Sequence, residues 1–212
     1  MDFLEEIKEI VKKELYNVNS CHEWEHTERV YNLTMHIGKI EGADLEILAL
    51  ASLLHDIGRK EQDESRGKID HAIRGAEMAK EILEKRGLNE KEVQKICHCI
   101  EAHRSKNSTV PETLEAKVLY DADKLDAIGA IGIGRAFSFA GHIGAKVHNK
   151  GVDLSKTETY SIEDTAWREY ELTLKFIKNK MFTDEGKRLA EERHNFMEQF
   201  FDRLNKEVDG SL

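Results

Sequence analysis

Apolar residues recur along this chain at spacings of three and four, the period of a helix with one buried face. Phe3, Ile7, Ile10, Val11 and Leu15 fall on one side of a first helix, and a polar break follows at Asn17-Val-Asn-Ser20. The pattern resumes from Trp24 to Ile40 with Val30, Leu33 and Ile37 inward, and Gly42 stops it. Asp44 is placed to cap the next helix. The run Leu45, Leu48, Ala49, Ala51, Ser52, Leu53, Leu54 is apolar on too many sides for a surface helix, so a central, buried one is expected. Glu61 to Lys68, charged and glycine-containing, reads as a loop. Helices are predicted over His71–Lys85, Glu90–Ala102 and Glu112–Ile128, with a polar loop from Arg104 to Pro111, the single proline.

Gly129, Gly132 and Gly134 interrupt the period, and Phe137 and Phe139 follow. No strand precedes these glycines, so they are no dinucleotide fingerprint, and close packing is their simpler explanation. Gly141 to Thr159 is polar and reads as a mobile loop near the site. Ser161-x-x-Asp164 has the form of a capping box opening a helix to Lys178. Thr183 caps a last long helix through Met197, Phe200, Phe201 and Leu204. No segment alternates with the two-residue period of a strand. The expected fold is all-α: a helical bundle with a C-terminal helical extension, in one domain spanning 1–212. Its core covers about 20–130, with helix 1–16 and helices 161–209 packed on it.

At 212 residues the chain can bury a core without disulfides. Its formal net charge of −9 repels nucleic-acid backbones and argues against a duplex-binding role. A small phosphate ligand remains compatible, because a bound divalent cation reverses the sign locally. Cys21, Cys97 and Cys99 form no disulfide framework, and Cys97-x-Cys99 lacks zinc-ribbon spacing. Three reduced thiols fit a cytoplasmic protein. No apolar stretch approaches the roughly 20 residues of a membrane span, and the acidic, amphipathic N-terminus is no signal peptide.

Chemistry enters at the end of the most apolar helix, which runs into His55-Asp56. A helix C-terminus favours a histidine through its dipole but not an aspartate directly after it. A divalent cation would want imidazole and carboxylate together. His26 opens the second helix, and Tyr120-Asp-Ala-Asp-Lys-Leu-Asp126 sets carboxylates in a helix otherwise striped by Leu119, Ala122, Leu125 and Ile128. That stripe carries Asp123 toward the core, where a carboxylate is costly unless paired or ligating a metal.

With these residues in place the sequence resembles the HD-domain phosphohydrolase superfamily, whose ligand order is His, then His-Asp, then a distant Asp. The matching residues are His26, His55-Asp56 and Asp123. The stretches His22-Glu-Trp-Glu-His-Thr-Glu-Arg-Val30, Leu54-His-Asp-Ile-Gly58, His71-Ala-Ile-Arg-Gly75, Ile100-Glu-Ala-His103 and Asp121-Ala-Asp-Lys-Leu-Asp-Ala-Ile-Gly129 resemble a small bacterial subgroup. So does the tail Thr183 to Phe200, with Ala190, Arg193 and Met197. The resemblance implies an HD-type helical fold and a divalent metal ion. Manganese is the first expectation; magnesium, nickel, cobalt, iron or zinc are also admissible. The implied substrate is a small-molecule nucleotide. Members of the subgroup cleave nucleoside or deoxynucleoside triphosphates to monophosphate and pyrophosphate. Two imidazoles and two carboxylates on an octahedral ion leave room for an activated water and a phosphoryl oxygen.

Further candidates follow from the same comparison. His71 and His103, and less well His98, match additional histidines of larger sites, which hold a second metal, donate protons or bind phosphate. Asp126, three after Asp123, could orient a ligand or a water. Arg59 and Lys60 are candidate phosphate contacts, with Arg135 and Lys146 as further ones. His22 shares a helical face with His26; His36, His142, His148 and His194 read as surface residues, and Trp24 and Trp167 as core. Gly58-Arg59 stands where (p)ppGpp hydrolases carry a Glu-Asp pair, and Arg104-Ser-Lys-Asn where cyclic-dinucleotide phosphodiesterases carry Gly-Tyr-Pro, so both activities are disfavoured. A 5′-nucleotidase or another phosphomonoesterase or phosphodiesterase remains open. So do a di-iron oxygenase on the same fold and a non-catalytic, metal-stabilised helical binding module. The pattern Phe196, Met197, Phe200, Phe201, Leu204 would serve a homodimer as well as a core.

Overall fold

Eight consecutive buried residues, Ile47 to Leu54, make one helix the hub of the N-terminal part of the chain. The structure is a computed structural model that describes residues 3–16, 23–104 and 109–212. The break at 17–20 with Cys21 and His22, and 105–108 of the second polar loop, lie outside the described residues. The described residues form α-helices and two 3-10 segments, with no strand. The fold is all-α. No helix among them is long and apolar enough to cross a membrane. The chain divides into two units, Met1–Asp123 and Lys124–Leu212.

In the first unit α1 (Phe3–Glu14), α2 (Trp24–Glu41), α5 (His71–Glu84) and α6 (Glu90–Ala102) all pack on the central α3 (Leu45–Leu54), and α5 packs along α6. Asp44 caps α3, its carboxylate accepting from the amides of Glu46 and Ile47 at 3.1 and 3.3 Å, a cap worth about 1 kcal/mol. Each fully buried leucine or isoleucine of α3 adds roughly 1.5–3 kcal/mol, so the helix that ends at His55 is firmly placed. α2 buries Val30 and Ile37 and ends at Gly42, whose φ of +75° breaks the helical path. α7 (Leu114–Leu125) carries the expected stripe: Leu119, Ala122 and Leu125 are fully buried.

In this unit one element departs from the sequence reading. Residues read as a loop from Glu61 form a short α4 (Arg59–Glu64) with no buried residue. Polar contacts to α5 hold it: Glu61 pairs with Arg74 at 2.9 Å, and Gln62 accepts from the amide of His71 at 3.3 Å. An apolar-period reading cannot see a helix held that way.

In the second unit α8 (Gly129–His142) runs through the glycines that were expected to interrupt it. Gly129 takes the positive φ of +79° that starts the helix, and a Cβ on Gly132 would lie 2.2 Å from the carbonyl oxygen of Ala127. The glycine there permits a close backbone approach within a continuous helix. The helix expected from Ser161 to Lys178 is shorter, α9 (Ala166–Leu172), followed by a 3-10 segment over Leu174–Lys180. Ser161 does not open it: its hydroxyl accepts from the Glu163 amide at 3.2 Å, Asp164 accepts from the Tyr160 amide and pairs with Arg168 at 2.8 Å, and capping moves to Thr165, which accepts from the Arg168 amide. The loop from 141 to 159 is anchored by the buried Asn149, which donates to the Glu163 carbonyl and accepts from the Thr165 hydroxyl. Thr183 caps α10 (Asp184–Val208) through the Gly186 amide. α10 packs on α8 and on the second 3-10 segment, and Phe201 stacks on Tyr170 with centroids 4.4 Å apart. Trp24 and Trp167 are half-buried rather than enclosed: Lys12 lies over the first, and His148 stacks on the second.

Candidate metal centre

Six side chains from the ends of five helices meet inside the first unit. His26 lies in the first turn of α2, and His55 and Asp56 directly follow α3. His71 opens α5, His103 closes α6, and Asp123 is near the end of α7. All but Asp123 are buried, and Asp123 keeps 15% of its side chain exposed. Gly58 makes this assembly sterically feasible. A Cβ there would meet the His71 carbonyl oxygen at 2.5 Å and the Gly75 amide nitrogen at 2.8 Å.

The atoms form two adjoining groups. His26 Nε2 lies 3.3 Å from His55 Nε2 and 3.4 Å from Asp123 Oδ1. Asp56 Oδ2 faces the same point, 3.7 Å from His26 Nε2 and 3.8 Å from His55 Nε2. Asp56 Oδ1 turns the other way, 3.3 Å from His71 Nε2 and 3.6 Å from His103 Nε2. One carboxylate therefore serves both groups, an oxygen to each.

The tautomers are set from outside the cluster. His55 Nδ1 donates to the Ser52 carbonyl at 2.7 Å, and His103 Nδ1 to the Ile100 carbonyl at 2.5 Å. His71 Nδ1 donates to Gln62 Oε1 at 2.8 Å. A carbonyl oxygen only accepts, so each of these rings carries its proton on Nδ1 and turns the Nε2 lone pair inward. Burial pushes His55 down to about 4 and His71 down to about 3, which keeps both neutral near pH 7. Electron pairs and carboxylates thus converge with few protons among them, an arrangement that suits a cation. The donor set is imidazole plus carboxylate, as a hard-to-borderline divalent ion prefers. Neighbouring ligands on an octahedral ion stand about 3 Å apart, and the separations here need only a small contraction to reach that.

The other residues singled out by sequence fall as follows. Arg59 points into the cluster, its Nη2 donating to Asp56 Oδ1 and Oδ2 at 2.9 and 3.1 Å and lying 3.1 Å from His71 Nε2. Lys60 is exposed on α4. His98 is outside the cluster and accepts from the Glu112 amide at 3.2 Å. His36 and His142 are exposed, while His148 and His194 are half-buried. In the second unit Asp126 is buried and pairs with Arg135 at 2.8 Å, and Lys146 pairs with Glu163. Cys97 and Cys99 are free thiols that burial pushes up to about 11 and about 12, so both stay protonated. Gln62, the acceptor of His71, was not singled out. It sits in the polar segment read as a loop, and nothing in its neighbours marks it.

Residues 24–128, which span the whole cluster, match the HD domain family. The uncharacterised protein YpgQ of Bacillus subtilis (strain 168) is 36% identical over 211 residues, covering 97% of this chain and 94% of that protein. The chain belongs to the HD-domain family. HD-superfamily proteins of this kind are metal-dependent hydrolases, and so is this one. Among solved structures, an HD-superfamily hydrolase from Bacillus thuringiensis superposes with a TM-score of 0.76 at 29% identity, covering 97% of this chain and 96% of that one. The crystal structure of B. subtilis YpgQ in complex with ADP superposes with a TM-score of 0.74 at 32% identity, covering 96% of this chain and 94% of that one.

Proposed function

We propose that this HD-superfamily protein hydrolyses nucleoside or deoxynucleoside triphosphates to the monophosphate and pyrophosphate. The observation that carries the reading is the convergence of His26, His55, Asp56 Oδ2 and Asp123 on one point, set in a fold shared with a relative that was crystallised with ADP. In this reading those four residues hold the divalent ion, manganese by first expectation. An ion there would supply Lewis acidity, lowering the pKa of a coordinated water and polarising a phosphoryl oxygen. The chain's part is to fix its donors. Ser52 and Ile100 carbonyls hold the His55 and His103 rings so that Nε2 faces inward, which fixes ligand direction before substrate arrives. Of the two further histidines, His103 turns its Nε2 toward the edge of this point, where it is the candidate for proton transfer, while the Nε2 of His71 is engaged by Arg59. Lys60, exposed on the neighbouring helix, is a candidate for phosphate oxygens. Arg135 and Lys146 spend their charge on Asp126 and Glu163 and carry no part of the proposal.

The test is a product assay. Manganese-loaded protein is given a panel of nucleotides, with pyrophosphate and orthophosphate measured separately. Pyrophosphate from triphosphates is expected. Orthophosphate from monophosphates, with triphosphates untouched, would move the activity to a 5′-nucleotidase. Oxygen uptake by iron-loaded protein would move it to an oxygenase.

A further inference from the structure

Asp56 Oδ1, His71 Nε2 and His103 Nε2 form a second donor group beside the first, with separations of 3.2, 3.3 and 3.6 Å. Sequence alone suggested that these histidines could hold a second metal. The structure puts something else there. Arg59 Nη2 sits 2.9 Å from Asp56 Oδ1 and 3.1 Å from His71 Nε2, a cation lodged among the donors. We propose that Arg59 is a built-in substitute for a second divalent ion, and that it makes this a one-metal site. The inference rests on the reading of His26, His55, Asp56 and Asp123 as the set that holds the first ion.

Three features support it. The guanidinium, by donating, answers the lone pair that His71, with its proton committed to Gln62, turns inward. Its Nε is buried without a hydrogen-bond partner. Arginine heads normally satisfy their N–H groups, and leaving a buried one unanswered is costly. The head is held instead through Nη2, by Asp56 and His71. The side chain is only 12% exposed and comes from the first residue of α4, three after Asp56. The chain thus delivers ligand and substitute cation within a single turn.

Removing the charge should vacate the second group. Without Arg59, one shared carboxylate and two imidazoles would face each other, a donor set suited to a divalent ion. Manganese binding is measured by titration calorimetry, and nuclearity by electron paramagnetic resonance of the loaded protein. Wild type should bind one ion per chain and give the spectrum of an isolated manganese, even with the metal in millimolar excess. Arg59→Met should bind two and show a coupled pair. Arg59→Met with His71→Ala should return to one. Arg59→Gln, neutral but still polar, is the second route to two ions should the methionine variant fold poorly. One ion in folded Arg59→Met and Arg59→Gln would overturn the proposal and leave the first site standing. Two ions in wild type would overturn it by showing that Arg59 yields to metal. No ion in wild type would sink the four-residue reading and this inference with it.

Discussion

The Nε2 atoms of His71 and His103 face one another at 3.2 Å, although each ring has committed its Nδ1 proton elsewhere, to Gln62 and to the Ile100 carbonyl. Such a pair is held together by the fold and not by its own attraction. Beside it, His26, His55, Asp56 Oδ2 and Asp123 crowd donor atoms at 3.3–3.8 Å, and there a bound cation would relieve the crowding. Saturating metal should stabilise the protein: an ion at a hundred times its Kd adds about 2.7 kcal/mol. For a chain of this size that corresponds to a rise of roughly 5–10 °C in the melting midpoint. Thermal melts with manganese and with excess chelator check this, and identical midpoints would rule it out.

Asp123 differs from Asp56 in exposure, and the two should respond differently to removal. Asp123→Ala should abolish turnover while the helical dichroism spectrum is unchanged, because a partly exposed side chain leaves little cavity. Asp56→Ala should lower metal content and also destabilise the apo-protein. It removes the partner of the buried Arg59 head, and stranding one member of such a pair costs about 3–5 kcal/mol. Metal analysis with denaturant melts of both variants decides; wild-type metal content in Asp56→Ala would refute the ligand set.

Gly58→Ala should damage the site without touching a ligand. The new methyl meets backbone on both sides, the His71 carbonyl and the Gly75 amide, and neither can swing away as a flexible side chain would. Strain of this kind costs about 1–3 kcal/mol, and it displaces the start of α5, which carries His71. Gly75→Ala is the comparison, its nearest neighbour standing at an ordinary 3.4 Å. Metal titration of the two should show weakened binding in the first only; equal affinities would refute the argument.

The pH response of metal-free protein follows from the imidazoles. His55 and His71 are held below the ordinary value of 6.5, at about 4 and about 3, first by burial. The unfolded chain therefore takes up protons before the folded one does, and unfolding becomes easier as pH falls. Stability from these groups is fully present above about pH 6.5 and is lost progressively below it, toward pH 3–4. Denaturant melts of chelated protein at pH 7.5, 6.0 and 5.0 should give falling midpoints, and a flat series would contradict the assignment.

Much of this architecture could be read from the sequence because the helices of the core announce themselves by period and cap. Asp44, Gly42 and Thr183 all carry local chemistry that decides an element's end. What could not be read depends on partners distant in sequence. α4 has no apolar stripe and exists through contacts to Arg74 and His71. Ser161 and Asp164 look like a capping box until Arg168 claims the carboxylate and Thr165 opens the helix. At the centre, the order of His26, His55, Asp56 and Asp123 was visible, as were His71 and His103 as candidates. The inward turn of Arg59 was not, since an arginine in a charged segment looks the same whether it faces solvent or a buried carboxylate.

Of His55, His71 and His103, His71 alone takes its Nδ1 acceptor from a side chain; the other two use main-chain carbonyls. Main-chain acceptors cannot be exchanged by mutation, so the basicity of His55 and His103 is inherited with the helices themselves. Gln62 can be exchanged. It sits on a short surface helix whose burial constrains it little, and a glutamate there would make His71 a stronger electron donor without disturbing the core. The cluster thus has one adjustable screw among fixed fittings, and selection or design that retunes this centre has its simplest access at residue 62.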